Sequence, residues 1–269
     1  MLLEIIKDGI YPIHFNERNE EIDSPKYRLE QLVQTRGTFY GAPTLFLNLG
    51  LCNLKCIKRE AICNNCFKKE VQKVQLEPQV ISNIIRNNIG NKKHLVITGG
   101  EPLLQTTALL ELFDLIKDLN LVITLETNGT IYNEEVYSKV DYISIFPVLT
   151  AFSPTNEKIK KVRSELKEKM ALVSNESIKK HEQKRINIRA LQIFIDNCVL
   201  DTNKAFTFNV YVLSVSDITE LKNDFLDKLK NWVPEDINII YYGLKPNIEI
   251  VNRCVEEGFN FSTITQYEQ

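Results

Sequence analysis

Four of the chain's six cysteines, Cys52, Cys56, Cys63 and Cys66, lie in one stretch, LCNLKCIKREAICNNCF, residues 51–67. Thiolates are the ligands that zinc and iron–sulfur centres require, so four thiols this close suggest a metal or iron–sulfur site. Three, six and two residues separate successive cysteines. Those spacings permit a closed zinc site using all four thiols, and also a three-thiolate iron–sulfur cluster with one cysteine left over. The stretch alone does not choose.

The thiols are expected to be reduced. Six cysteines in 269 residues are too few for a disulfide scaffold. The start, MLLEIIKDGIYP, carries Glu4, Lys7 and Asp8 and does not read as an export signal. No apolar run approaches the ~18 residues of a membrane span. A cytoplasmic protein with no membrane partner is the expectation. Cys198 and Cys254 sit beside apolar residues in helical patterns and read as buried structural thiols. A formal net charge of -2 gives no bulk electrostatic case for nucleic acid. The charged stretch at about 156–185 interleaves Glu165, Glu168, Glu176 and Glu182 with its lysines, so it reads as a solvated helix or an excursion.

Most of the remaining sequence alternates strand and helix patterns. Pro43–Leu49 reads as a strand entering the cysteine loop, and Gln79–Asn88 as a helix opened by Pro78. His94–Thr98, Leu121–Leu125, Tyr142–Ile145, Phe206–Leu213, Ile237–Tyr241 and Phe259–Thr263 read as strands. Helical stripes fall at Leu103–Leu119, Glu134–Lys139, Ile186–Cys198, Asp217–Trp232 and Ile248–Glu257, with Ser216 a candidate N-cap and Gly258 a C-terminal stop. Residues 1–30 read as an irregular lead-in with a short strand. This rhythm predicts an α/β fold with a parallel sheet and outer helices. About six β/α units are too few for a closed eight-fold barrel, so a partial barrel in a single domain, 1–269, is expected.

Two turns follow strands in this pattern. Gly99-Gly100-Glu101-Pro102 follows His94–Thr98, and Glu126-Thr127-Asn128-Gly129 ends the next strand. Paired glycines let a ligand approach the backbone at the C-terminal edge of a parallel sheet, where α/β folds place their sites. Alone the glycine turn could be an ordinary tight turn. No GxxxxGK[ST] phosphate loop, Ser/His/Asp triad or Cys/His nucleophile pair is visible. His94 begins a strand and reads as structural, and Asp217 and Glu220 read as helix-start acids.

Gly50-Leu-Cys-Asn-Leu-Lys-Cys56, Thr98-Gly-Gly-Glu-Pro-Leu-Leu-Gln105 and Glu126-Thr-Asn-Gly-Thr130 together resemble the radical S-adenosylmethionine (SAM) superfamily. More narrowly they resemble the 7-carboxy-7-deazaguanine synthase (QueE) family. The similarity extends through Gly41–Phe46, Asp141–Pro147 and Arg185–Gln192, in the same order. It implies a radical SAM-type partial barrel carrying a [4Fe–4S] cluster on three thiolates, with SAM on the fourth iron. Gly99, Gly100, Glu101 and Pro102 would line the SAM methionyl group, and Glu126 and Asn128 would help to hold SAM. Thr98 and Asn48 fall at substrate-facing places. The implied reaction converts 6-carboxy-5,6,7,8-tetrahydropterin to 7-carboxy-7-deazaguanine, on the route to queuosine and other 7-deazapurines. A flavodoxin or ferredoxin as electron donor and a homodimer are also implied. Arg59 stands where the superfamily's CxxxCxxC pattern expects its third cysteine. Some members finish an inserted loop with a close cysteine pair, which Cys63-Asn-Asn-Cys66 resembles. The favoured ligands are therefore Cys52, Cys63 and Cys66, with Cys52, Cys56 and one of the later pair as the alternative.

The departures from the family fall on the substrate side. Arg36-Gly37-Thr38-Phe39 replaces an acidic Gly-Glu-Gly segment, and Asn48 replaces an arginine thought to hold the substrate carboxylate. Phe67 and Lys68 follow the last cysteine where the family has Asp-Thr, whose threonine is a Mg2+ ligand. Phe146-Pro147-Val148 replaces Ser-Pro-Lys. Three readings stay open: a QueE-like enzyme with its own or a changed heterocyclic substrate, a radical SAM activase or peptide modifier, and a non-enzymatic remnant that binds zinc through all four clustered cysteines.

Overall fold

The computed structural model describes residues 1–11, 33–34, 39–56, 73–160, 174–242 and 246–264. Arg36–Thr38, Arg59, Cys63, Cys66, Phe67 and Lys68 lie outside these residues. Contacts divide the chain into two compact units. The first comprises Met1–Asn53, Glu70–Thr127 and Asn133–Ile143; the second comprises Leu54–Lys69, Asn128–Tyr132 and Ser144–Gln269.

In the first unit the strands are β1 (Leu3–Tyr11), β2 (Thr44–Leu49), β3 (Lys73–Leu76), β4 (His94–Gly99) and β5 (Val122–Thr127), hydrogen-bonded in the order β3-β1-β2-β4-β5. β2, β4 and β5 run parallel, while β1 is antiparallel to both β2 and β3. Leu45, Leu47 and Leu49 are fully buried, as are Leu95, Ile97 and Leu125. Such near-continuous apolar runs are what a parallel sheet covered on both faces demands. Helices α1 (Pro78–Ile89) and α2 (Thr106–Ile116) pack on each other, burying Ile81, Ile85, Leu109, Leu112 and Phe113. A short α3 (Glu134–Ser138) is capped by Asn133, whose side chain accepts from Val136 N–H at 2.9 Å.

Strand β6 (Tyr142–Ile145) begins in the first unit and ends in the second. The second unit continues with β7 (Ala205–Val212), β8 (Ile237–Tyr242) and β9 (Asn260–Ile264), parallel neighbours in that order. Its helices are α4 (Asn175–Lys184), α5 (Ile188–Leu200), α6 (Val215–Glu220) and α7 (Ile248–Glu257). α7 ends at Gly258, which takes the left-handed φ of 73°. Cys198 and Cys254 are buried, and burial pushes the Cys254 thiol up to about 11, which keeps it inert. No described helix is long and apolar enough to cross a membrane.

The α/β expectation, with a mostly parallel sheet and helices, therefore holds, and three local readings change. The lead-in contains a nine-residue strand, β1, rather than a short one, because β2 and β3 flank it and bury Leu3, Ile5 and Ile10. The helix expected over Asp217–Trp232 is shorter. It starts at Val215, where Asp217 accepts from the Leu213 and Ser214 N–H groups at 2.7 and 3.0 Å, so Ser214 rather than Ser216 is the cap. It then widens into a π turn over Leu221–Phe225, and Leu221, Phe225 and Leu226 are all buried. Within the charged stretch, His181 and Arg185 are buried rather than solvated.

Candidate functional site

The parallel register of β2 and β4 sets Asn48 beside Thr98, and the register of β4 and β5 pairs Ile97 with Leu125, which sets Thr98 beside Glu126. Side chains alternate along a strand, so these three share one sheet face at its C-terminal edge. Thr98 Oγ1 donates to Glu126 Oε2 at 2.5 Å. Asn48 and Thr98 are half-buried and Glu126 is buried. One residue-pair deeper on the same face lies Thr124, whose buried Oγ1 finds no hydrogen-bond partner. A polar row above apolar Phe46 and Val96, at the edge where α/β folds bind ligands, is the arrangement a small polar molecule requires.

The Gly99–Pro102 turn is fixed to the segment that enters the cysteine loop. Gly100 N–H donates to Leu49 O at 2.9 Å and Glu101 N–H donates to Leu51 O at 2.6 Å. A Cβ on Gly100 would lie 1.8 Å from Leu51 O, and one on Gly99, whose φ is +107°, would lie 2.3 Å from Leu49 O. Only glycine allows this approach. It places the turn against the backbone of Leu51 and Cys52, so Cys52 and the glycine pair share one small region. Cys52 forms no disulfide among the described residues and is half-buried.

Glu101 has no exposed surface. Its carboxylate accepts from Leu103 N–H at 3.1 Å and from Thr127 Oγ1 at 2.9 and 3.0 Å. The side chain thus caps the turn Pro102–Leu104 and ties it to the end of β5. Gln105 serves the same region from inside: its amide donates to Glu4 O at 3.0 Å and accepts from Glu4 N–H at 2.6 Å, acting as a strand edge for β1. Sequence reasoning quoted Gln105 and Thr127 within motifs but gave neither a role. Their hydroxyl and amide are generic until a buried partner is known.

Asn128 lies in the second unit. Its Oδ1 accepts from Thr130 N–H at 2.9 Å and from Thr130 Oγ1 at 2.6 Å, closing a local turn. Next to it Gly129 has φ +74°, and a Cβ there would come within 2.4 Å of Leu191 on α5. Asn187 at the start of α5 donates to Thr130 O at 2.8 Å. Cys56, also in the second unit, is buried against His181 of α4. Cys63 and Cys66 lie outside the described residues.

The residues present fit a cluster-and-SAM site. The half-buried Cys52 thiol follows a parallel strand, beside a glycine turn that offers backbone groups and a polar row that ends in a carboxylate. A family model described as a 4Fe-4S single cluster domain matches residues 44–169, a span that contains all four clustered cysteines. The 7-carboxy-7-deazaguanine synthase of Halobacterium salinarum is 27% identical over 206 residues, covering 75% of this chain and 70% of that protein. That of Rickettsia prowazekii is 34% identical over 106 residues, covering 37% of this chain and only 42% of that protein. The crystal structure of QueE from Escherichia coli superposes with a TM-score of 0.54 at 18% identity, covering 87% of this chain and 90% of that one. The chain is thus similar to 7-carboxy-7-deazaguanine synthases in sequence and to the Escherichia coli QueE structure in its α/β fold, and its glycine and Glu126 motifs fall at the ends of β4 and β5.

Proposed function

We propose that the chain is a radical SAM lyase of the 7-carboxy-7-deazaguanine synthase type, acting on 6-carboxy-5,6,7,8-tetrahydropterin or a related heterocycle. The observation that carries this reading is the approach of the Gly99–Glu101 backbone to the Leu49–Cys52 segment, beside the row Asn48–Thr98–Glu126. When bound, a [4Fe–4S] cluster would supply the one-electron reduction of SAM from which radical chemistry on the substrate starts. Cys52, Cys63 and Cys66 are the proposed residues that would hold the cluster. The backbone of Gly99, Gly100 and Glu101 would line the methionyl group of SAM, since the Glu101 carboxylate accepts from Leu103 and Thr127. Glu126, oriented by Thr98, would help to hold SAM, and Asn128, whose side chain bonds Thr130, is proposed for the same role. A flavodoxin or ferredoxin supplies the electron, in a reducing cytoplasm, and the enzyme works as a homodimer.

A second reading, a changed substrate, draws on specific residues. Asn48 stands in the polar row without the charge needed to pair a buried carboxylate, a loss worth about 1.5–3 kcal/mol for a hydrogen bond to a charged group. Phe146 stacks on buried Tyr211 with centroids 5.7 Å apart, so apolar surface follows β6. Phe67 and Lys68 cannot replace a threonine hydroxyl on Mg2+, because phenylalanine has no oxygen and lysine is cationic.

One preparation separates the readings. Anaerobically reconstituted protein is given SAM, reductant and 6-carboxytetrahydropterin, with and without Mg2+. Four irons per chain, 5′-deoxyadenosine and 7-carboxy-7-deazaguanine together are the result expected for the parent activity. Deoxyadenosine without the deazaguanine supports a changed substrate, an activase or a peptide modifier. A colourless protein holding one zinc sinks the radical SAM reading.

A further inference from the structure

The turn that follows β6 in the second unit is held by charged side chains. Glu220, at the end of α6, accepts from the Thr150 N–H at 2.9 Å and from the Thr150 hydroxyl at 2.8 Å. Arg185 donates to Val148 O at 3.1 Å and to Thr150 Oγ1 at 2.8 Å. Three further carbonyls of the same turn converge on one point. Lys158 Nζ donates to Thr150 O at 2.8 Å, to Ala151 O at 3.2 Å and to Ser153 O at 3.3 Å. An ammonium has three N–H donors and no acceptor, so these carbonyls engage all of them.

The lysine serves the turn rather than the helix that carries it. Residues 156–160 are helical, and the Lys158 N–H donates to Thr155 Oγ1 at 3.1 Å, so Lys158 stands in the first helical turn. A cation there opposes the helix dipole. Converging carbonyl dipoles, in turn, repel one another unless a cation sits among them. Backbone oxygens arranged in this way replace the hydration shell of a bound potassium ion. Phe152 and Ser153 are buried, so the turn cannot splay to relieve the repulsion without exposing them. Burial lowers the Lys158 pKa from its ordinary 10.5, and the Glu182, Asp217 and Glu220 carboxylates act against that, so the surroundings favour positive charge at this point. The oxygen distances of 2.8, 3.2 and 3.3 Å suit a large monovalent cation. They are far longer than the ~2.0–2.1 Å of Mg2+ or the ~2.3–2.6 Å of Ca2+.

We propose that the turn at residues 148–153 is a monovalent-cation cradle, which this chain fills with its own Lys158 ammonium and which takes K+ or NH4+ once that side chain is removed. The lysine makes the turn independent of the salt around it. None of the residues given a cofactor role takes part, so the cradle stands whether or not the radical SAM reading does.

The test uses the full chain, purified anaerobically as wild type, Lys158→Ala and Lys158→Met. Urea unfolding is followed by the fluorescence of Trp232, the single tryptophan, which lies in the second unit. It is measured in the chlorides of potassium, ammonium, sodium and choline at one ionic strength. The wild-type midpoint is expected to be the same in all four. In choline, Lys158→Ala should unfold roughly 0.5–1 M earlier, the loss that hydrogen bonds from a charged donor carry. In potassium and ammonium it should regain more than half of that loss, saturating with salt, while sodium, which prefers shorter oxygen distances, restores little. Lys158→Met still fills the cradle but carries no charge, and it should stay low in all four salts. Should Lys158→Ala not fold in choline, its refolding yield from urea in the four salts is compared instead, with recovery expected in potassium and ammonium. A Lys158→Ala variant that is as stable as wild type in choline, that responds equally to the four salts, or that refolds in none of them overturns the proposal. Potassium-specific stabilisation of wild type or of Lys158→Met also overturns it, because the ion would then bind elsewhere.

Discussion

The Thr98 hydroxyl donates to the Glu126 carboxylate at 2.5 Å, joining the C-terminal ends of two neighbouring parallel strands. A hydrogen bond to a charged group is worth about 1.5–3 kcal/mol, and here it orients the Glu126 carboxylate. Glu126→Gln keeps an oxygen to accept from Thr98, so its thermal midpoint should stay within about 2 °C of wild type. Equilibrium binding of SAM to the reconstituted protein should weaken about tenfold, the equivalent of 1.4 kcal/mol. Thr98→Val should weaken SAM binding by a similar factor while leaving the carboxylate in place. Wild-type affinity in both variants would remove Glu126 from the SAM site.

Gly100→Ala tests the approach of the two loops. Its Cβ would run into the Leu51–Cys52 peptide group, with Leu51 O at 1.8 Å, Leu51 C at 2.5 Å and Cys52 N at 3.1 Å, and backbone cannot rotate away as a side chain can. Overpacking of this kind costs about 1–3 kcal/mol, with the higher end expected here. The reconstituted variant should show a reduced denaturation midpoint in urea and fewer than the wild-type number of irons, since moving Leu51 moves Cys52. A variant with unchanged stability and iron content would mean that the loops are free to separate.

The same residues show how much the sequence discloses. The places of Gly99, Gly100 and Glu126 at strand ends were legible because each closes or follows a short apolar run in a strand–helix alternation. The strand from Leu3 to Tyr11 was not, because its partners lie far along the chain and its charges at Glu4 and Lys7 mask its apolar residues. The break of the helix after Glu220 into a π turn depends on burying Leu221, Phe225 and Leu226 together, which a helical periodicity does not signal. His181 was hidden for a similar reason. It sits in a highly charged segment, Ile178–Arg185, and its burial beside Cys56 is a tertiary contact that the local pattern does not signal.

Acid should weaken the first unit through His94. Burial lowers the pKa of this ring from its ordinary 6.5, and its Nδ1 is buried without a hydrogen-bond partner beside the Phe39 ring at 4.4 Å. Because the folded pKa lies below the unfolded one, the unfolded chain takes up the proton first on acidification. The contribution of His94 to stability is therefore fully present above about pH 6.5 and falls as the pH drops through that value. His94→Gln removes this linkage. Between pH 7.5 and 5.5 the wild-type midpoint should fall by about 2–3 °C more than that of the variant, in thermal melts of the apoprotein. Equal slopes would show that the ring is solvated enough to charge without cost.

Gln105 gives the most direct test of how the edge of the first unit is held. Its amide replaces a strand: it accepts from Glu4 N–H at 2.6 Å and donates to Glu4 O at 3.0 Å, while the Gly50 N–H also donates to Glu4 O at 2.8 Å. β1 changes register between Ile5 and Ile10, so the amide supports the strand close to where its ladder with β2 breaks. Gln105→Leu conserves volume but leaves the Glu4 N–H with no amide oxygen, and the side chain is only 8% exposed, so water cannot fully replace it. Losing two hydrogen bonds and stranding a buried donor should cost about 2–4 kcal/mol. Gln105→Glu keeps the acceptor but turns a second oxygen toward Glu4 O, and it should be destabilised at neutral pH and partly recover near pH 4, where the new carboxyl protonates and can donate again. Urea unfolding at the two pH values measures both effects. A Gln105→Leu variant as stable as wild type would show that β1 is held by its ladders with β2 and β3 alone.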